Sequence, residues 1–142
     1  MRIGSRLLRF FGPCARTNGV DEPPIRIDRA NTILYCDRWN ECVEFYRSTI
    51  GFAVAFQNHW FVEFSVAGSS MLSVADARRA TIEPAAGAGI TLAWQVESVA
   101  EVRSRLVRLG VEVSPLATRW ESTVCYCHDP EGHRIEFWSP GT

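Results

Sequence analysis

The chain contains no apolar run near the roughly 20 residues that a membrane-crossing helix needs, so no spanning segment is expected. It also lacks a surplus of either charge: 15 Lys and Arg residues against 16 Asp and Glu leave a net charge of -1. Without a basic field there is no electrostatic case for nucleic acid or an anionic membrane. The expected partner is a small molecule or another protein. Paired C-x-x-C spacings are missing too. The five cysteines, Cys14, Cys36, Cys42, Cys125 and Cys127, are odd in number and fit no structural zinc pattern. Cys125 and Cys127 would share one face of a strand, which does not suit a disulfide. All five read as reduced thiols, and the expected location is the cytoplasm. Arg9 interrupts the one stretch, Met1 to Phe11, that would serve as a signal peptide core, and no small-residue cleavage site follows it. Residues 1–29 read as an N-terminal extension, either frayed or packed on its own domain, with a basic amphipathic docking helix as the alternative.

What is present is a single-domain length of 142 residues with ordinary apolar content. Ile33 to Cys36 reads as a strand that runs into Asp37, a candidate helix N-cap. Trp39, Val43, Tyr46 and Ile50 then recur at helical spacing, with Cys42 and Phe45 beside them, and Gly51 closes the helix. Three strand-like runs follow, over Phe52 to Gln57, Trp60 to Ala67 and Ser70 to Val74. The middle one alternates, with Val62, Phe64 and Val66 on one face and His59, Phe61 and Glu63 on the other. Asp76 to Gly89, rich in alanine and glycine, reads as a linker.

The order then repeats about sixty residues later. Ile90 to Val96 is a strand, and Ser98 to Glu101 has the form of a capping box. Val99, Val102, Leu106 and Leu109 make the helical stripe that Gly110 closes. Val111 to Ser114, Trp120 to Cys127 and His133 to Trp138 are the later strands, with Asp129-Pro130-Glu131-Gly132 as the turn between the last two. The reading is an α+β fold of two tandem βαβββ modules, at about 30–75 and 89–139, within one domain over 30–142.

This pattern resembles the vicinal oxygen chelate superfamily, which includes glyoxalase I, bleomycin-resistance proteins and extradiol dioxygenases. The resemblance is carried by Asp37, Phe45-Tyr46 and Ile50-Gly51-Phe52 in the first half, and by Asp129 through Phe137 in the second. It covers roughly Asn31 to Pro140. It implies curled mixed sheets around a central cavity, and in metal-dependent members four ligands from four strands. Those four positions fall on Ala30, Ser73 or Met71, Thr91 and Glu136, of which Glu136 alone is a strong ligand. Because a catalytic divalent site needs about three protein ligands, the expectation is no metal and no cofactor.

Strand alternation, anchored on Glu136 facing inward, places Arg134 and Trp138 beside it. It also turns in Thr32 and Leu34, Thr91 and Gln95, and Tyr126 with Val124. His59, Phe61, Glu63, Met71, Ser73 and Trp120 complete the expected ligand-binding set. Trp94 is assigned to the core, and His128 and His133 to the surface. Cys125 and Cys127 are expected under the helices. Such a mixed aromatic and polar wall suits a small, partly aromatic ligand, as in bleomycin-resistance-type proteins. The expected function is metal-independent binding or sequestration by a homodimer. The alternatives are a lyase, isomerase or dioxygenase-type enzyme, with Glu136 or Glu63 as base or with an atypical metal site, and a structural dimer with a vestigial cavity.

Overall fold

Two mixed four-stranded sheets carry the architecture, each built from a strand, a helix and three further strands in chain order. The computed structural model describes residues 24–141, so the readings of Met1 to Phe11 and of Cys14 lie outside the described residues. In the first sheet β1 (Ala30–Cys36) runs parallel to β4 (Ser70–Asp76), which continues antiparallel through β3 (Phe61–Ala67) to β2 (Ala53–Gln57). In the second, β5 (Thr91–Gln95) runs parallel to β8 (Arg134–Pro140), then antiparallel through β7 (Ser122–His128) to β6 (Ala117–Arg119). Helix α1 (Trp39–Glu44), continued by a π-wound turn over Phe45–Ile50, and helix α2 (Val99–Arg108) begin sixty residues apart. Asp37 and Glu97 therefore occupy equivalent strand-to-helix corners.

Alternation along the strands decides what each sheet buries. Leu34 and Cys36 of β1, Val62 and Phe64 of β3, and Leu72 and Val74 of β4 lie in the core with Cys42, Val43, Phe45 and Tyr46. Leu92, Cys125, Cys127, Ile135 and Phe137 do the same for the second sheet, beneath Val99 and Leu106. One core joins both modules: Phe52 meets Trp94 edge-on at 5.2 Å, and Trp94 lies 5.8 Å from Phe137. The sheets are not closed around a central cavity. Their helix-side faces share this core and their other faces stay open.

Four local expectations need correction. Asp37 does not cap α1; Arg38 stands at the N-cap without a side-chain bond, and the carboxylate of Glu131, from the other module, takes the amides of Asp37 and Arg38 at 3.1 and 2.9 Å. Val111 to Ser114 forms no regular strand. Ser114 N–H reaches Tyr126 O, but Tyr126 N–H is taken by the Ser114 hydroxyl, and Pro115 has no N–H to extend a ladder. Trp120 and Glu121 are not strand: both have positive φ, 51° and 60°, and form the two-residue turn between β6 and β7. Leu109 ends α2 and is 53% exposed, outside the buried stripe. Other signals read as expected. Gly51 closes the first helix at φ 89°, and the Ser98 hydroxyl accepts from Glu101 N–H at 3.2 Å.

Candidate ligand-binding face

The second sheet's open face is set by the same alternation that buries Ile135 and Phe137. In register across it stand Thr91, Arg134 and His128, then Ala93, Glu136 and Tyr126, then Gln95, Trp138 and Val124. A hollow of about 160 Å³ on this face is lined by Arg119, Trp120, Ser122, Val124, Tyr126, Glu136 and Trp138. The Glu136 carboxylate is half-buried and makes no hydrogen bond or ion pair among the described residues. The Arg134 guanidinium does not pair with it but lies 4.0 Å over the Tyr126 ring, occupying one aromatic face.

Trp120 overhangs the hollow from its turn and is 66% exposed. A bulky residue at positive φ is uncommon and needs support. That support comes from the chain's far end, where Gly141 N–H donates to Glu121 O at 2.6 Å. A Cβ at position 141 would sit 2.3 Å from that oxygen, so only glycine allows the clamp.

The first sheet's open face is different. Glu63 is held by Arg29 and by Asn31 Nδ2 at 3.0 Å, so both its oxygens are engaged. Asn31 Oδ1 in turn accepts from the Ser73 hydroxyl at 3.0 Å, and Ser73 is fully buried. Ile33, Phe56 and Phe61 flank this network; Ile33 and Phe56 are 40% and 54% exposed. Glu63 is thus tied to the first strand and to the residue before it, one donor on each oxygen.

These positions correct the first-strand phase. Thr32 and Leu34 lie on the helix side; Leu34 is core and Thr32 shares its face. Asn31 is the residue that shares a face with Ser73 and Glu63, and it stands sixty residues before Thr91. The residue equivalent to Thr91 is therefore Asn31 rather than Ala30. By the paired registers, Ile33 with Ser73 and Ala93 with Glu136, Ser73 corresponds to Glu136 and Met71 to Arg134. The residues do not fit a divalent centre. Asn31 and Ser73 are bonded to each other, Thr91 offers a hydroxyl, and Glu136 belongs to no cluster of three ligating side chains among the described residues.

A second cavity, of about 590 Å³, lies between the modules. It collects Thr32, Met71, Thr91 and Gln95 from the expected set with Ala30, Phe52 and Trp94, and none of its lining residues is ionisable. The expected residues thus do not converge on one site. Tyr126, Glu136, Trp138 and Trp120 come together, Phe61, Glu63 and Ser73 sit on the other sheet, and His59 remains in an exposed turn lining neither cavity. His128 is exposed, as expected, but His133 is buried, with Nδ1 2.8 Å from Asp129 Oδ2. Cys125 and Cys127 do lie under the helices, where burial raises both thiols and Cys127 reaches about 12. Arg119 and Ser122 were not anticipated, because only the hairpin turn directs them at the hollow. Asn31 had a signal: the sixty-residue offset, applied back from Thr91, lands on it.

The profile described as Glyoxalase/Bleomycin resistance protein/Dioxygenase superfamily matches residues 26–137. Among curated proteins none matches. Among solved structures, a glyoxalase/bleomycin resistance protein/dioxygenase from Nocardioides is 23% identical, with a TM-score of 0.68 over 82% of this chain and 85% of that one. A lactoylglutathione lyase from Agrobacterium tumefaciens is 22% identical, with a TM-score of 0.66 over 83% and 96%. TnmS3, an antibiotic binding protein from Streptomyces sp. CB03234, is 18% identical, with a TM-score of 0.70 over 82% and 99%. At these identities the structures share the fold.

Proposed function

The chain belongs to the glyoxalase/bleomycin resistance protein/dioxygenase superfamily, and on that premise we propose that it binds a small, partly aromatic molecule without using a metal. The observation that carries this reading is the half-buried Glu136 carboxylate, unpaired among the described residues, in a hollow walled by Trp120, Tyr126 and Trp138. Aromatic faces stack on planar groups, and a carboxylate without a partner selects a hydrogen-bond donor or a cation at the ligand's polar end. An antibiotic binding protein of the same fold supports a binding role at the level of architecture.

The hollow is smaller than the roughly 300–1,000 Å³ usual for a ligand pocket. One chain therefore covers such a ligand on one side only. The exposed Ile33 and Phe56 on the other open face are an apolar surface of the kind that protein contacts cover. A homodimer of C2 symmetry, laying open faces over each other, supplies the missing wall. The near-neutral charge supports a partner other than nucleic acid, and the four described free cysteines support a reducing, cytoplasmic location. Among the described residues no helix is long and apolar enough to cross a membrane.

Titration with planar aromatic amines, read by quenching of tryptophan fluorescence, tests the proposal. Saturable quenching is expected, weakened by roughly 1–3 kcal/mol in Trp138→Ala, the scale of a lost aromatic anchor. Equal affinity in Trp138→Ala and Glu136→Gln would place the ligand elsewhere. The same free carboxylate favours one second reading, a metal-independent lyase or isomerase with Glu136 as base. That reading requires chelator-insensitive turnover that disappears in Glu136→Gln while binding persists.

A further inference from the structure

On the helix side, remote from both open faces, three ligating side chains from two modules converge. Cys36 is the last residue of β1, and Cys42 lies one turn into α1 with its side chain turned to the same core; both are fully buried. Glu131 enters from the turn of the second module and is half-buried. The two sulfurs and a Glu131 carboxylate oxygen all lie within 4.8 Å of one another. No other such cluster occurs among the described residues.

The carboxylate is held in place by the amides of Asp37 and Arg38, and the Arg38 guanidinium is directed to Pro130 O and Glu41. No cationic side chain among the described residues pairs with Glu131. The Cys36 thiol is pushed far up by its bond to Cys42, then by burial, then by the charges of Cys42, Asp129 and Glu131. These influences all act in one direction. They disfavour a bare thiolate, and a bound cation reverses that balance.

We propose that Cys36, Cys42 and Glu131 form a zinc-binding site that ties the β1–α1 corner of the first module to the Asp129–Gly132 turn of the second. Two thiolates and a carboxylate are a donor set for a thiophilic d¹⁰ ion, and three protein ligands leave the fourth tetrahedral position to water. With Zn–S near 2.3 Å, tetrahedral ligand atoms stand roughly 3.8 Å apart. The present spread requires an inward shift of an ångström or less. Binding converts two thiols to thiolates and releases two protons to solvent, so affinity rises with pH. The site is separate from the cavity positions at Asn31, Ser73, Thr91 and Glu136, and it does not depend on the proposed ligand.

The test uses the untagged 142-residue chain, reduced and stripped with a chelator, with Co²⁺ as spectroscopic probe. Cys14→Ser serves as the parent, to remove the thiol outside the described residues. Expected are sulfur-to-cobalt charge-transfer and tetrahedral ligand-field bands that saturate at one ion per chain. Zn²⁺ should displace Co²⁺ and raise the melting temperature. Glu131→Gln, a half-buried isosteric change that leaves the core intact, should weaken Co²⁺ binding by more than the roughly 10–100-fold that losing an outer-sphere partner costs. Cys42→Ser should abolish the two-sulfur signature. Zinc-edge absorption on the parent gives a readout independent of how the variants fold, and two sulfurs among four ligands are expected. No thiolate band, a sulfur count of zero or four, or unchanged affinity in Glu131→Gln overturns the proposal.

Discussion

The Tyr46 hydroxyl donates to Asp129 Oδ2 across 2.7 Å, joining the first module's helix to the second module's turn inside the shared core. The same oxygen lies 2.8 Å from His133 Nδ1, while Oδ1 accepts from the amides of Glu131, Gly132 and His133. Asp129 is therefore a buried carboxylate with every acceptor direction used, and the modules are locked by polar geometry as well as by apolar contact. Asp129→Ala is expected to cost about 3 kcal/mol or more, because three amides, a hydroxyl and an imidazole lose their partner at once. Tyr46→Phe is expected to cost about 1–3 kcal/mol. Chemical denaturation of both single variants and the double variant measures the coupling; strictly additive losses would mean that the two groups do not act together.

Acid stability follows from the same carboxylate. Burial raises its pKa, but the bonds from His133 and Tyr46 outweigh that effect and hold it below its ordinary value of 3.8. A carboxylate depressed on folding contributes its full stabilisation above the ordinary value, and that contribution is lost as pH falls through the lower folded value. Unfolding midpoints should drop below pH 3.8, and the drop should be shallower in Asp129→Asn. An identical acid profile in that variant would assign the loss to other carboxylates.

Gly141→Ala tests how the candidate face is built. The added Cβ meets Glu121 O, so the Trp120 turn must shift while the β7–β8 ladder stays paired. Ligand quenching should weaken with little change in melting temperature. If affinity is retained, Trp120 is a bystander.

The assembly prediction is direct. Light scattering at micromolar concentration should give twice the chain mass, and Phe56→Glu, on the open face of the first sheet, should shift it toward monomer. A monomeric parent protein would remove the second wall from the proposed site.

Metal content separates the two regions of the molecule. Elemental analysis after expression in metal-supplemented medium should give the same result for parent and Glu136→Gln. Stoichiometric metal that disappears with Glu136 would return the protein to the metal-dependent members of its superfamily.

Periodicity and the sixty-residue repeat were enough to read two βαβββ modules, the buried faces of both helices, and the inward turn of Cys125 and Cys127. These depend on local alternation anchored by large apolar residues, and apart from Leu109 and the 111–114 segment the tertiary structure follows them. Glu136, Tyr126 and Trp138 were legible for the same reason, since Ile135 and Phe137 between them fix the strand's phase.

Tertiary structure decided the rest. The phase of β1 was ambiguous because Ile33, Leu34 and Tyr35 are all apolar, and only pairing with β4 and the Glu63–Asn31–Ser73 bonds set which side faces out. Glu63 read as a candidate base, and only the fold brings Arg29 and Asn31, more than thirty residues earlier, onto its two oxygens. Glu131 looked like a turn residue, yet it caps a helix more than ninety residues earlier in the chain. His133 was assigned to solvent and is instead buried on Asp129. Local sequence determined which residues sit on the same face, because alternation is a short-range property of the backbone. Which faces are filled, and which partners the carboxylates of Glu63, Asp129 and Glu131 find, were decided by tertiary contacts, where sequence distance gives no measure of proximity.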